Sequence, residues 1–168
     1  MLKLSAKHCF LLGFLFCVGL MLSALYFQFI GHLDPCPLCI SQRIMVIAVG
    51  LVMLVAFLHA PGPRGTRIYA VVGGLVALMG ASVSARHVWI QHLPTDEVPA
   101  CGPGLSYMFQ YFALSDTLKA MLTGTGDCAK MDWTLLGLSM PAWVLFCFLG
   151  LAAFSFAQYW NTTPSADR

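Results

Sequence analysis

Four stretches of this chain are too long and too apolar for the surface of a soluble fold, and they set its architecture before any motif is considered. After Lys7, the run from His8 to Ile30 carries no charged residue, enough for the roughly 20 residues that cross a bilayer. A second run opens near Cys39 and continues to Leu58, closing at Pro61-Gly62-Pro63, where proline and glycine break a helix. The third extends from Ile68 to about Leu93 and the fourth from Leu138 to about Tyr159. The expected fold class is an all-α integral membrane protein: a four-transmembrane-helix bundle forming a single membrane domain over residues 1–168. Its spans fall at about 8–30, 39–60, 68–93 and 138–160, with connecting outer loops at 31–38 and 94–137.

Composition agrees with that reading and excludes others. Only 10% of residues are charged and 59% are hydrophobic, against about 25% charged in a soluble domain. A formal charge of +2, without a basic stripe, gives no footprint for nucleic acid. Lys3, Lys7, Arg64, Arg67 and Arg168 belong to the termini and the Pro61–Arg67 turn. The other connectors hold Asp34, Asp96, Glu97, Asp116, Asp127 and Asp132 with only Lys119 and Lys130. Lysine and arginine mark the cytoplasmic side, so both termini are expected inside and both acidic loops outside. Arg43 and Arg86 sit at outer helix ends and call for a reason. The first run is too long for a signal-peptide core and lacks a small-x-small cleavage site before the loop, so it is expected to remain as a span.

The seven cysteines divide by location. Cys9, Cys17 and Cys147 fall in or beside the first and fourth spans, where a thiol packs as a small hydrophobe. Cys36, Cys39, Cys101 and Cys128 fall in or at the edge of the outer connectors, on the side where disulfides form and persist. Cys36-Pro37-Leu38-Cys39 closes a ring too small to be useful as a chain staple and has the spacing of redox centres. Cys101 with Cys128, taken alone, reads more naturally as a structural bridge. Zinc held by the four thiolates is disfavoured, since the second pair is not a C-x-x-C and an oxidising compartment works against free thiols. No metal is therefore expected.

Pro37 suits the first turn of a helix because it has no N–H to leave unpaired. A helix beginning there puts Cys39 at the positive end of the helix dipole, where a thiolate is favoured. Arg43, four residues on, lies one turn away on the same face. Its guanidinium can stabilise the thiolate or donate to an electron-rich oxygen of a ligand.

These residues, together with Gly126-Asp127-Cys128-Ala129, Trp133 and Leu136-Gly137-Leu138-Ser139-Met140-Pro141-Ala142-Trp143, resemble the bacterial disulfide bond formation protein B family over nearly the whole chain. The resemblance implies an inner-membrane, quinone-dependent thiol oxidase that reoxidises a periplasmic dithiol oxidase, DsbA, and passes electrons to ubiquinone or menaquinone. Carried onto matching positions, Cys101 forms the mixed disulfide with DsbA, Cys128 resolves it and exchanges with Cys36, and Cys39 meets the quinone. Arg43 matches the quinone-site arginine of the family. A histidine near the outer end of the third span is implied as well, with His92 the first match and His87 the alternative.

The second outer loop carries Pro99, Gly102, Pro103 and Gly104 around Cys101, and Gly124 and Gly126 before Cys128, which suits a mobile carrier of thiols. Between them, Tyr107, Met108, Tyr111, Phe112, Leu114, Leu118, Met121 and Leu122 recur at helical spacing, as a short interfacial helix requires. Ser115-Asp116 marks a break or a second helix start. Two rival functions stand beside the oxidase. A b-type cytochrome needs paired histidines within the bundle, whereas His8, His32, His59, His87 and His92 lie mostly near span ends. A non-enzymatic four-helix scaffold with structural loop disulfides is the stronger alternative.

Overall fold

The structure, a computed structural model, describes residues 6–94, 96–100, 107, 110–131 and 133–160. Four long helices dominate it: α1 (Ala6–Phe29), α2 (Pro37–His59), α3 (Pro63–Gln91) and α5 (Met140–Trp160). Each is long and apolar enough to cross a membrane, where a helix satisfies its own backbone groups. The chain is therefore an all-α, four-span membrane protein. Helix starts follow proline more closely than hydropathy does. Pro37 and Pro63 open α2 and α3, with Cys36 and Gly62 as extended N-caps, so both helices begin before their apolar runs.

Packing in the bundle is uneven. Helices α3 and α5 form the most extensive pair, α2 packs on both α1 and α3, and α1 scarcely touches α5. The central core joins Phe10 and Cys17 of α1 to Val46, Val49 and Met53 of α2, Ala77 and Ala81 of α3, and Phe148 and Leu151 of α5. Lipid tails are as apolar as these side chains, so close contact between backbones replaces the hydrophobic drive used in water. Gly80 shows how: a Cβ there would lie 2.3 Å from the Phe148 ring. Two buried hydroxyls in the spans are satisfied within their own helices, Ser84 donating to the Gly80 carbonyl (3.0 Å) and Ser155 to that of Leu151 (2.8 Å).

A cap of short elements closes the end where α2 begins. It holds α4 (Leu114–Thr123), a 3-10 turn at Gly126–Ala129, and a two-stranded hairpin pairing Thr134 with Ser139 and Leu135 with Leu138. The hairpin was not expected from the sequence, whose turn signal is one glycine. Leu136 (φ 54°) and Gly137 (φ 78°) both adopt left-handed backbone, the twist that a two-residue hairpin needs. Helix α4 starts just before Ser115-Asp116, as the expected second helix start, with Asp116 in its first turn. Thr117 and Met121 face inward, while Leu114, Leu118 and Leu122 form an exposed stripe.

Side-chain hydrogen bonds help to dock the cap. Ser41 Oγ donates to the Met121 carbonyl (2.6 Å), Ser139 Oγ to Gln91 Oε1 (2.6 Å), and Trp143 Nε1 to the Leu135 carbonyl (3.2 Å). Gly124 (φ +83°) turns the chain out of α4 where a Cβ would meet Leu38 and Ile90 within 2.8 Å. Leu38, Ile90 and Cys128 form a second, small core directly beneath that turn.

Candidate active site

The site grows from the first turn of α2. Cys36 caps the helix, its sulfur accepting from the Cys39 amide (3.4 Å), and the two Sγ atoms lie 3.2 Å apart. Pro37 and Leu38 between them are buried, so the C-x-x-C ring is fixed by packing on one side and by helix geometry on the other. The 3-10 turn carries fully buried Cys128 to the same place. Cys36 Sγ, Cys128 Sγ and a ring nitrogen of His87 all lie within 4.8 Å of one another.

Electrostatics separates the two sulfurs outside the spans. The Cys36 thiol is pushed far up by its hydrogen bonds to Cys128 and then Cys39, with burial adding to the shift. Cys128 is pulled down to about 6, first by the hydrogen bond from Cys36 and then, against burial, by the amides of Leu38 and Thr125. The Thr125 hydroxyl, buried and otherwise without a partner among the described residues, adds a donor. Amides at a helix start stabilise a thiolate for the same reason that they bind anions. The proton thus belongs on Cys36 and the negative charge on Cys128.

Beside the sulfurs lies a cavity of about 260 Å³. Cys36, Cys39, Gln42, Arg43, His87 and Gln91 are among its polar lining residues, and Leu20, Phe27, Val46, Trp133, Trp143 and Val144 among its apolar ones. Helices α1 and α5 both line the cavity and hardly meet each other. Arg43 does not float at the membrane surface: it donates to Gln28 Oε1 and to the Ala24 carbonyl (3.2 Å). That pairing to α1 gives this outer-end arginine its structural reason. Arg86, by contrast, is exposed on α3, the position of a side chain that snorkels to headgroups.

Of the residues singled out from sequence, Cys36, Cys39, Cys128, Arg43 and His87 converge on one place. His92, the first histidine match, does not. It caps α3, its ring is exposed, and Nδ1 bonds the Val88 carbonyl (2.8 Å). His87 is buried, with Nε2 3.7 Å from Cys36 Sγ and Nδ1 3.3 Å from the Gln42 amide. Helical phase explains the difference, since five residues rotate a side chain by well over a quarter turn. Cys101 lies outside the described residues. Sequence reasoning passed over Gln42 and Gln91, although polar side chains within a span are a functional signal. It also assigned Cys147 to packing, whereas that thiol lines the cavity.

Sulfurs in contact across a loop and a span, opening on a cavity within a helical membrane bundle, define a class: membrane-embedded disulfide oxidoreductases. Comparison with known proteins gives the family. The model of "Disulfide bond formation protein DsbB" matches residues 6–158. Similar proteins carry the name Disulfide bond formation protein B. That of Methylococcus capsulatus is 71% identical over 157 residues, covering 94% of this chain and 96% of the relative. That of Nitrosococcus oceani is 46% identical over 167 residues, 99% of each chain. That of Saccharophagus degradans is 50% identical over 154 residues, 92% of this chain and 93% of the relative. The chain belongs to the disulfide bond formation protein B family.

Proposed function

We propose that the protein is the inner-membrane oxidase of a DsbA-like periplasmic dithiol protein, drawing on ubiquinone or menaquinone as electron acceptor, with both termini cytoplasmic and the sulfur cluster on the periplasmic side. The observation that carries this reading is the position of Cys36: its sulfur lies 3.2 Å from that of Cys39 on one side, with Cys128 within reach on the other. Thiol–disulfide exchange needs that arrangement, a thiolate held beside a reachable sulfur. Attack of the partner's thiol on Cys101 of a Cys101–Cys128 bridge releases the Cys128 thiolate. Cys128 then attacks Cys36 of the Cys36–Cys39 disulfide; a Cys128–Cys36 bond forms, the Cys36–Cys39 bond breaks, and the electron pair leaves on Cys39. Cys39, at the first turn of α2, holds that charge facing the cavity.

The cavity fits a quinone headgroup in size and in chemistry. Its walls are largely apolar, and Arg43, Gln42 and Gln91 offer N–H donors to carbonyl oxygens within the same space as Cys39. When bound, a quinone supplies a two-electron, two-proton sink. Such a sink is required, since DsbA is itself strongly oxidising at about −120 mV. The residues of this chain orient the headgroup: Arg43, pinned by Gln28 and Ala24, fixes its distance from Cys39, and Trp133 and Trp143 exclude water. The exposed leucine stripe of α4 lies on the membrane surface and keeps the second loop close to the first.

Purified protein in detergent, mixed with reduced DsbA and a soluble ubiquinone analogue, tests the reading. The expected result is one quinone reduced per dithiol oxidised, abolished by Cys39→Ser. Oxidation of DsbA that persists in a Cys36→Ser/Cys39→Ser variant would instead identify a scaffold with structural disulfides.

A further inference from the structure

Cys36, Cys128 and His87 do more than line up for exchange. We propose that, once their thiols are reduced, these three side chains form a binding site for a thiophilic d10 divalent cation such as Zn2+, which locks the cluster against sulfur exchange. Zinc bonds thiolate sulfur at about 2.3 Å and imidazole nitrogen at about 2.0 Å, which in a tetrahedron separates sulfur from nitrogen by about 3.5 Å and sulfur from sulfur by about 3.8 Å. Cys36 Sγ and His87 Nε2 stand 3.7 Å apart. The other separations among the three ligand atoms do not exceed 4.8 Å, so closing on an ion asks for about 1 Å of side-chain movement at most.

The surroundings meet the further requirements of such a site. A ligating histidine is held by a partner on its other nitrogen, and the Gln42 amide nitrogen stands 3.3 Å from His87 Nδ1; turning the amide by 180° puts its oxygen there instead, where it accepts Nδ1–H and leaves Nε2 to the ion. Leu38 and Ile90, both fully buried, shield the cluster on one side. On the other, the cavity leaves the fourth position to Cys39 Sγ, 3.2 Å from Cys36 Sγ, or to water. Binding exchanges two thiol protons for the cation and transfers no electrons: Zn2+ + 2 RSH gives Zn(SR)2 + 2 H+. The spacing argument against zinc considered four thiolates, two of them far apart in sequence. Folding supplies a different set, two thiols and an imidazole, and reduction during turnover supplies the free thiols.

The test uses the full-length protein in detergent, reduced with a phosphine and titrated with Co2+ and then Zn2+ alone, without quinone or DsbA, so its result is independent of the oxidase reading. The expected result is one Co2+ per chain with thiolate charge-transfer absorption and tetrahedral d–d bands, displaced by Zn2+. Oxidised protein gives neither. Cys128→Ala and His87→Gln weaken binding by more than about 100-fold, and Gln42→Leu by about 10-fold to 100-fold through the orienting contact. Cys9→Ser, away from the cavity, binds as the parent does. Circular dichroism on each variant separates loss of ligand from loss of fold, and Gln42→Leu, which removes no ligand, carries the test if a cysteine variant unfolds. Cobalt binding that survives both Cys128→Ala and His87→Gln, equal binding to oxidised protein, or no binding by any folded reduced form would each overturn the site.

Discussion

At the scale of single residues, the chemistry rests on where charge and protons are held. Cys128 attacks as the thiolate, which the Leu38 and Thr125 amides favour even when Cys36 is tied up in a disulfide, so its exchange with Cys36 should rise about tenfold per pH unit while Cys128 is mostly protonated and level off once it is ionised. Stopped-flow exchange across pH 4–8 checks this. Thr125→Val removes a donor to the thiolate and should move the midpoint upward without changing the plateau greatly. Arg43→His should raise the apparent KM for a quinone analogue about tenfold or more while leaving that for DsbA unchanged, since Arg43 lies on the cavity wall and bonds α1. The fixed fork of a guanidinium is not reproduced by imidazole. Steady-state titration of each substrate separates the two constants. Cys36, Cys39, Cys128 and Arg43 were legible in sequence because short spacing on one helix, or a cysteine in an outer loop, carries the signal by itself. The choice between His87 and His92 was not, because it depends on the phase of α3 against α2, which no local pattern records.

At the scale of elements, buried hydrogen bonds between cap and bundle have measurable consequences. Ser41 buries its hydroxyl against the Met121 carbonyl; Ser41→Ala leaves that carbonyl without its partner, at a cost of about 1–3 kcal/mol. Amide exchange in Leu114–Thr123 should speed accordingly, with α2 to α3 unaffected. Gly80 gives a test within the spans: Gly80→Val pushes branched carbons into the Phe148 ring, and overpacking of this kind costs about 1–3 kcal/mol or more. A lowered thermal midpoint in detergent, with loss of the α3–α5 pairing first, is the expected outcome. The four spans were plain in the sequence because apolar length alone defines them. The hairpin at Thr134–Ser139 was not, since Leu136 takes a left-handed backbone that its residue type disfavours and only tertiary anchoring through Ser139 and Trp143 holds it.

At the scale of the whole molecule, the distribution of basic residues predicts an orientation that labelling can read. A thiol-specific, membrane-impermeant reagent should reach Leu136→Cys in intact cells, whose parent residue is 84% exposed, and Arg64→Cys only after permeabilisation. The reverse pattern, Arg64→Cys labelled in intact cells and Leu136→Cys only after permeabilisation, would invert the proposed topology. The sparse contact between α1 and α5, which both line the cavity, is where the proposed quinone would enter from the bilayer. The sulfur cluster imposes a constraint of its own. A sulfur atom makes one disulfide at a time, so Cys36 can be bonded to Cys39 or to Cys128 but not to both. The cluster is thus a changeover contact: joining the loop to the bundle disconnects the pair beneath, and each turnover must break one circuit in order to make the other.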